Sequence, residues 1–278
     1  MSKSIKLVVT VYVITLVLWL AFVFLSGNSA TYEGPLFSYI LKPFLVGMTI
    51  LPLIGGLIGI NNSKHWGGWS SVMGRGLFGL GLGMVAWSGG MVIWNYYLFF
   101  TDIQVPYPSA ADAIFILSWP LWTYGLVHVS KITGSKFALR EKLGRVILTT
   151  IPIVIIIFSY YLLFEVARSG LIELGGGAVK LFFDLFYPIG DVVILTITVL
   201  IYNFSRRYLG GIYKTPILLL LVGFVFNYIS DFIFSFTTTN ETYFNGHIVD
   251  ILFTTTMFIL ALALAMLDVK RLNQPQAK

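Results

Sequence analysis

Eight apolar stretches alternate with short polar turns along the 278 residues, near 5–26, 36–60, 76–100, 109–129, 145–165, 179–204, 215–237 and 247–268. Each approaches the ~20 residues that cross ~30 Å of hydrocarbon as a helix. The pattern predicts an all-α polytopic membrane protein with eight transmembrane helices. The first stretch follows Lys3 and Lys6 but is longer than the apolar segment of a signal peptide. Ser26-Gly27-Asn28-Ser29-Ala30 is a weak cleavage sequence, so this helix is expected to be retained.

The turns divide by charge. Lys3, Lys6, Lys64, Arg75, Lys131, Lys136, Arg140, Lys142, Arg145, Arg206, Arg207, Lys214, Lys270, Arg271 and Lys278 all fall on one side of the predicted bundle; they are 15 of the 18 Lys and Arg residues. Arg168 and Lys180 fall on the other side, and Lys42 lies within a span. The excess of cations on one side predicts that both termini are cytoplasmic, in the plasma membrane. This topology accounts for the net charge of +6 without nucleic acid. No turn is long enough for a soluble domain, so function is expected in the bilayer or at its outer face.

The chain also echoes itself at half its length. Gly83–Trp94, Pro106-Tyr107-Pro108 and Asp112–Leu117 correspond to Gly223–Phe234, Tyr243-Phe244 and Asp250–Phe253 at an offset of 138–140 residues. Pro43 and Pro188 correspond at 145. Four helices per half predicts two parallel repeats, 1–138 and 139–278, about an axis along the membrane normal. Chance similarity among apolar helices is the competing explanation.

Composition changes this picture little. The chain is 57% hydrophobic and 11% charged, against roughly a quarter charged in soluble domains. It has no cysteine, which excludes disulfides, thiolate metal sites and cysteine nucleophiles.

Charges inside spans are costly and face the protein interior. Lys42, Asp112, Asp184, Asp191, Asp231 and Asp250 are all expected in the outer half. Asp184 and Asp191 are seven apart and share a helix face. Pro188 between them frees backbone carbonyls, and Gly190 permits close approach. Tyr187, Asn227, Tyr228 and Ser230 add polar groups at similar depth. These positions predict an outward-open polar cavity lined by spans two, four, six, seven and eight. It would bind a cation, a proton or a small polar ligand through Lys42, Asp184, Tyr187, Asp191, Asn227 and Asp231. Asp112 and Asp250 each follow a turn, which favours helix capping over ligand binding.

Trp87, Trp94, Tyr96, Tyr97, Trp119, Trp122 and Tyr124 could line an apolar chromophore or lipid pocket, but an interfacial belt with ordinary packing is the simpler expectation. The glycines of span three, Gly79 and Gly83 among them, suit close helix packing rather than a phosphate loop. His65, His128 and His247 are too dispersed for a metal or haem site, and Lys42 lacks the context of a retinal Schiff base. The sequence leaves any cofactor unidentified.

One stretch carries a family resemblance. Trp87–Tyr97 (W-S-G-G-M-V-I-W-N-Y-Y) and Val105–Leu126 (V-P-Y-P-S-A-A-D-A-I-F-I-L-S-W-P-L-W-T-Y-G-L) resemble the multi-helix membrane regions at the N-termini of bacterial and archaeal signalling proteins of diguanylate cyclase, phosphodiesterase or histidine kinase type. Asp184-Leu-Phe-Tyr-Pro-Ile-Gly-Asp191 fits the same group. The likeness is best over about 40 residues. It implies an integral membrane sensory module. The sequence ends at Lys278 with no output domain, so a cytoplasmic or membrane signalling partner is expected.

A sensor or receptor-like module is therefore the leading expectation. A small cation- or proton-coupled transporter with parallel repeats, and a structural subunit of a membrane complex, are the alternatives. Gly190-Asp191 with Asp231 has a partial likeness to intramembrane aspartyl proteases. The Gly-Asp element comes on the earlier helix, only one glycine is present, and the Pro-Ala-Leu triplet is missing, so an enzyme is not expected. The lipid bilayer is the certain partner; a homo-oligomer is compatible.

Overall fold

The computed structural model describes residues 2–27, 29–30, 33–101, 105–133, 141–168, 170, 177–205 and 213–269. These residues form helices and turns, with no strand among them. Eight helices are long and apolar enough to cross a bilayer: α1 (Lys3–Ser26), α2 (Gly34–His65), α3 (Val72–Phe100), α4 (Ala110–Ile132), α5 (Lys142–Val166), α6 (Gly177–Phe204), α7 (Lys214–Thr239) and α8 (Ile248–Met266).

Several ends are set by local chemistry. Ser2 caps α1, with its hydroxyl accepting from the Ile5 N–H at 3.3 Å, and Gly27 closes α1 in the left-handed region at φ 61°. Ser71 starts α3 by accepting from the Gly74 N–H at 2.8 Å. That cap places the start of α3 four residues before the predicted one. α2 also outruns its apolar stretch, through Asn62 and Ser63. The Asn62 amide donates to the Leu264 carbonyl at 2.9 Å, and the Ser63 hydroxyl to the Gly74 carbonyl at 2.7 Å. Tertiary partners thus extend a helix where hydropathy alone would stop it.

Six helices form a ring in the order α2, α3, α4, α6, α7, α8, closed by α8 against α2. α1 lies outside it on α2 and α8, and α5 lies outside it on α6 and α7. In this order α2 faces α6, α3 faces α7 and α4 faces α8 across the ring. The α2–α3 contact is backbone on backbone. A β-carbon on Gly56 would lie 2.6 Å from the Gly81 carbonyl oxygen, and one on Gly81 would lie 2.7 Å from that of Gly56. Only glycine fits at both positions.

Aromatic side chains fill the centre of the ring. Trp87 lies 5.9 Å from Trp119 and 5.8 Å from Trp122, centroid to centroid. Phe253 of α8 and Phe224 of α7 complete the stack, at 5.3 Å from Trp87 and 5.6 Å from Trp122. Of the belt and ordinary packing expected for these aromatics, Trp87, Trp119 and Trp122 take the packing role, since all three are buried. Tyr96 is exposed, as a belt residue would be. Periodicity gave no means of separating these cases, because core and belt positions use the same residue types.

Candidate functional site

Among the described residues the predicted site residues fall into separate contact groups. Lys42 stands apart. Its ammonium lies over the rings of Phe37 and Phe99, at 4.9 and 5.2 Å, where the ring quadrupoles attract it. It meets neither Asp191 nor Asp231.

Asp112 and Asp250 are first-turn acids that hold the turns preceding their helices. One oxygen of Asp112 accepts from the Ser109 N–H at 2.7 Å and from its hydroxyl at 2.9 Å, completing a capping box at the start of α4. Asp250 holds the corresponding place in α8, accepting from the Gly246 N–H at 2.6 Å and the Tyr243 hydroxyl at 3.0 Å. Both aspartates thus have the structural role that their position after a turn predicted.

The remaining acids form a descending series along α6 and α7. At its rim, the Asp184 carboxylate accepts from the Tyr107 hydroxyl at 2.8 Å and pairs with Arg168 at 3.6 Å. Burial, together with the Asp184 carboxylate, pushes the Tyr107 phenol above its ordinary range, so it stays a donor. One turn deeper on α6, the Tyr187 hydroxyl donates to the free oxygen of Asp112 at 2.9 Å. The Tyr187 ring packs edge-on against Trp119 at 5.0 Å. Trp119 in turn donates its indole N–H to Asp191 at 2.9 Å.

The deepest members are Asp191, midway along α6, and Asp231 of α7. The two side chains neighbour each other across the contact between α6 and α7. The Asn227 amide donates to Asp231 at 2.6 Å, one helical turn away. Asp191 and Asn227 are 4% and 1% exposed, and Asp231 is half-buried. Each carboxyl group has one donor, the Trp119 indole for Asp191 and the Asn227 amide for Asp231, so two acids are held side by side in the helix contact.

Two glycines make room for the indoles. A β-carbon on Gly190 would lie 2.7 Å from Trp119 Cγ and 2.9 Å from its Nε1. One on Gly83 would lie 2.5 Å from Trp122 Nε1. The residue beside Asp191 thus lets α4 approach closely enough for Trp119 to reach the carboxylate.

The structure brings together Asp184, Tyr187, Asp191, Asn227 and Asp231 along one path and leaves Lys42 outside it. It adds Tyr107, Arg168 and Trp119, which sequence reasoning did not place at the site. Tyr107 had a signal in its Pro-Tyr-Pro turn, and Arg168 in being a rare cation on the acidic side. Trp119 carried none that distinguished it from its neighbouring tryptophans. Comparison with protein-family models, curated proteins and solved structures finds no match to the chain.

Proposed function

We propose that this chain is a sensor-type integral membrane module that responds to protons at the Asp191–Asp231 pair. The observation that carries the reading is the placement of two carboxyl groups side by side on adjacent membrane helices, each fixed by one donor. Ionisation of both carboxyl groups would place two negative charges side by side where the dielectric is low, a state that favours separation of α6 from α7. The series Asp184, Tyr107, Asp112 and Tyr187 supplies a hydrogen-bonding route from the aspartate-rich end of the bundle. α5 rests on both moving helices and would carry their displacement to the basic end. The resemblance to sensory membrane regions agrees with this reading.

In the same proposal the basic end faces the cytoplasm, with both termini there, and the protein resides in the plasma membrane. Lys131, Lys142, Arg145 and Lys214 mark that end. Lys136, Arg140, Arg206, Arg207, Lys270, Arg271 and Lys278 lie outside the described residues. A partner would dock at this end.

The neighbours that would tune the pair are Asp112 on α4, Asp184 and Tyr187 on α6, and Tyr228 on α7, which donates to Ser159 of α5 at 2.8 Å. Arg168 follows α5, Tyr107 precedes α4, and Asp250 of α8 is engaged by its own turn.

Asp231→Asn tests the reading, because its amide can donate to Asp191 while its oxygen accepts from Asn227. The variant keeps the size and polarity of the pair but has no ionisable group at position 231. Thermal unfolding in detergent is expected to show wild-type stability falling as the pH is raised and the variant losing that slope. Equal slopes in the two proteins would overturn the proposal.

A second reading is favoured by the ring order, in which α2 and α6, α3 and α7, and α4 and α8 face each other. Two parallel four-helix repeats would give this arrangement, and such repeats build proton-coupled transporters. Lumenal acidification in proteoliposomes under an imposed potential would select transport over sensing.

A further inference from the structure

The outward face of α5 has the charge pattern of a lipid. α5 is held to the bundle by one seam, in which Ile155, Ser159 and Leu163 are buried. The opposite face begins with a shallow hollow lined by Lys142, Arg145, Val146, Thr149 and Thr150. At steps of three and four residues it continues through Ile153, Ile156, Ile157 and Tyr160, each more than half exposed. Helical geometry puts these positions on a single stripe. One end of the stripe is cationic, the next turn carries hydroxyls, and the rest is apolar.

The dimensions fit one leaflet. From Thr149 to Ile157 the helix rises about 12 Å, close to the ~15 Å half-thickness of the hydrocarbon core. Lys142 and Arg145, three apart, would then lie at the level of the headgroups. They also occupy the first turn of α5, the positive end of its dipole, behind the single acidic N-cap residue Glu141. Two cations against one carboxylate leave this end of the helix net positive.

We propose that this stripe is a binding site for an anionic glycerophospholipid. Lys142 and Arg145 hold the phosphate, and the acyl chain lies along Ile153, Ile156 and Ile157. The site is distinct from the Asp191–Asp231 pair and does not depend on how that pair works. Because α5 leans on α6 and α7, a lipid held on its outer face would fix the helix that covers the pair.

The test is lipid retention by native mass spectrometry of the full chain, exchanged into detergent with phosphatidylglycerol or phosphatidylcholine. Wild type is expected to retain phosphatidylglycerol preferentially. Lys142→Gln with Arg145→Gln should reduce that retention by roughly fivefold for each cation lost. Lys64→Gln, at another basic-end position, should leave it unchanged. Ile157→Asn should weaken both lipids together, since it alters the acyl wall alone. Four results would each overturn the proposal: equal retention of the two lipids by wild type, full retention by the double variant, a loss in Lys64→Gln as large as in the double variant, or displacement of the lipid by glycerol phosphate alone.

Discussion

Gly190→Ala tests whether the α4–α6 contact sets the geometry of the aspartate pair. The new β-carbon would lie 2.7 Å from Trp119 Cγ and 2.9 Å from Nε1. Carbon atoms in ordinary contact are about 3.5–4 Å apart, so roughly 1 Å of separation is needed. The indole cannot supply it. It is 2% exposed and is confined by Trp87 at 5.9 Å, Trp122 at 6.0 Å and Tyr187 at 5.0 Å. α6 must therefore recede from α4, stretching the Trp119–Asp191 hydrogen bond from 2.9 Å beyond bonding range. Overpacking costs about 1–3 kcal/mol, and loss of a hydrogen bond to a carboxylate about 1.5–3 kcal/mol. At roughly 2–4 °C per kcal/mol, the melting temperature should fall by about 5–20 °C. Gly89→Ala is the control, because its β-carbon meets only an Ile114 methyl, at 3.1 Å. A thermal-shift series in detergent with Gly190→Ala, Trp119→Ala and the double variant would measure the coupling. With the indole gone the alanine has nothing to strike, so the costs should be less than additive by at least 1 kcal/mol. A Gly190→Ala protein as stable as wild type, or strictly additive costs, would refute the argument.

Tyr107→Phe should destabilise by about 1–2 kcal/mol, because Asp184 loses its 2.8 Å donor and keeps Arg168 at 3.6 Å. Chemical denaturation read by near-ultraviolet circular dichroism would measure it, and no change would mean that the rim contributes nothing. His247 caps α8 by accepting from the Val249 N–H at 3.4 Å, and burial holds its imidazole below the ordinary range. A base with a lowered folded value is stabilising when neutral. That contribution is full above the unfolded value of about 6.5 and is lost as pH falls through the lowered one. His247→Ser, which keeps a cap, should remove this acid-side loss from a stability–pH profile, and an unchanged profile would contradict the assignment.

Hydropathy by itself determined the eight helices, because crossing a bilayer demands a length of apolar residues that can be counted along the chain. The turns also showed their caps: Ser109-Ala-Ala-Asp112 is a capping box within four residues. Capping depends on neighbours in sequence, so it is legible there. The glycines of α3 likewise announced close packing, though not that Gly81 would meet Gly56 of α2 while Gly83 would meet Trp122. Which acids meet was decided only in three dimensions. Asp191 and Asp231 are 40 residues apart, and nothing local distinguishes their pairing from one between Lys42 and either acid. The outcome depends on how far each helix is rotated about its own axis. That rotation follows from indoles seated on glycines, Trp119 on Gly190 and Trp122 on Gly83, across helix contacts. Lys42 was left to Phe37 and Phe99 for the same reason, since its position on α2 faces the aromatic end of α3 rather than the α6–α7 contact.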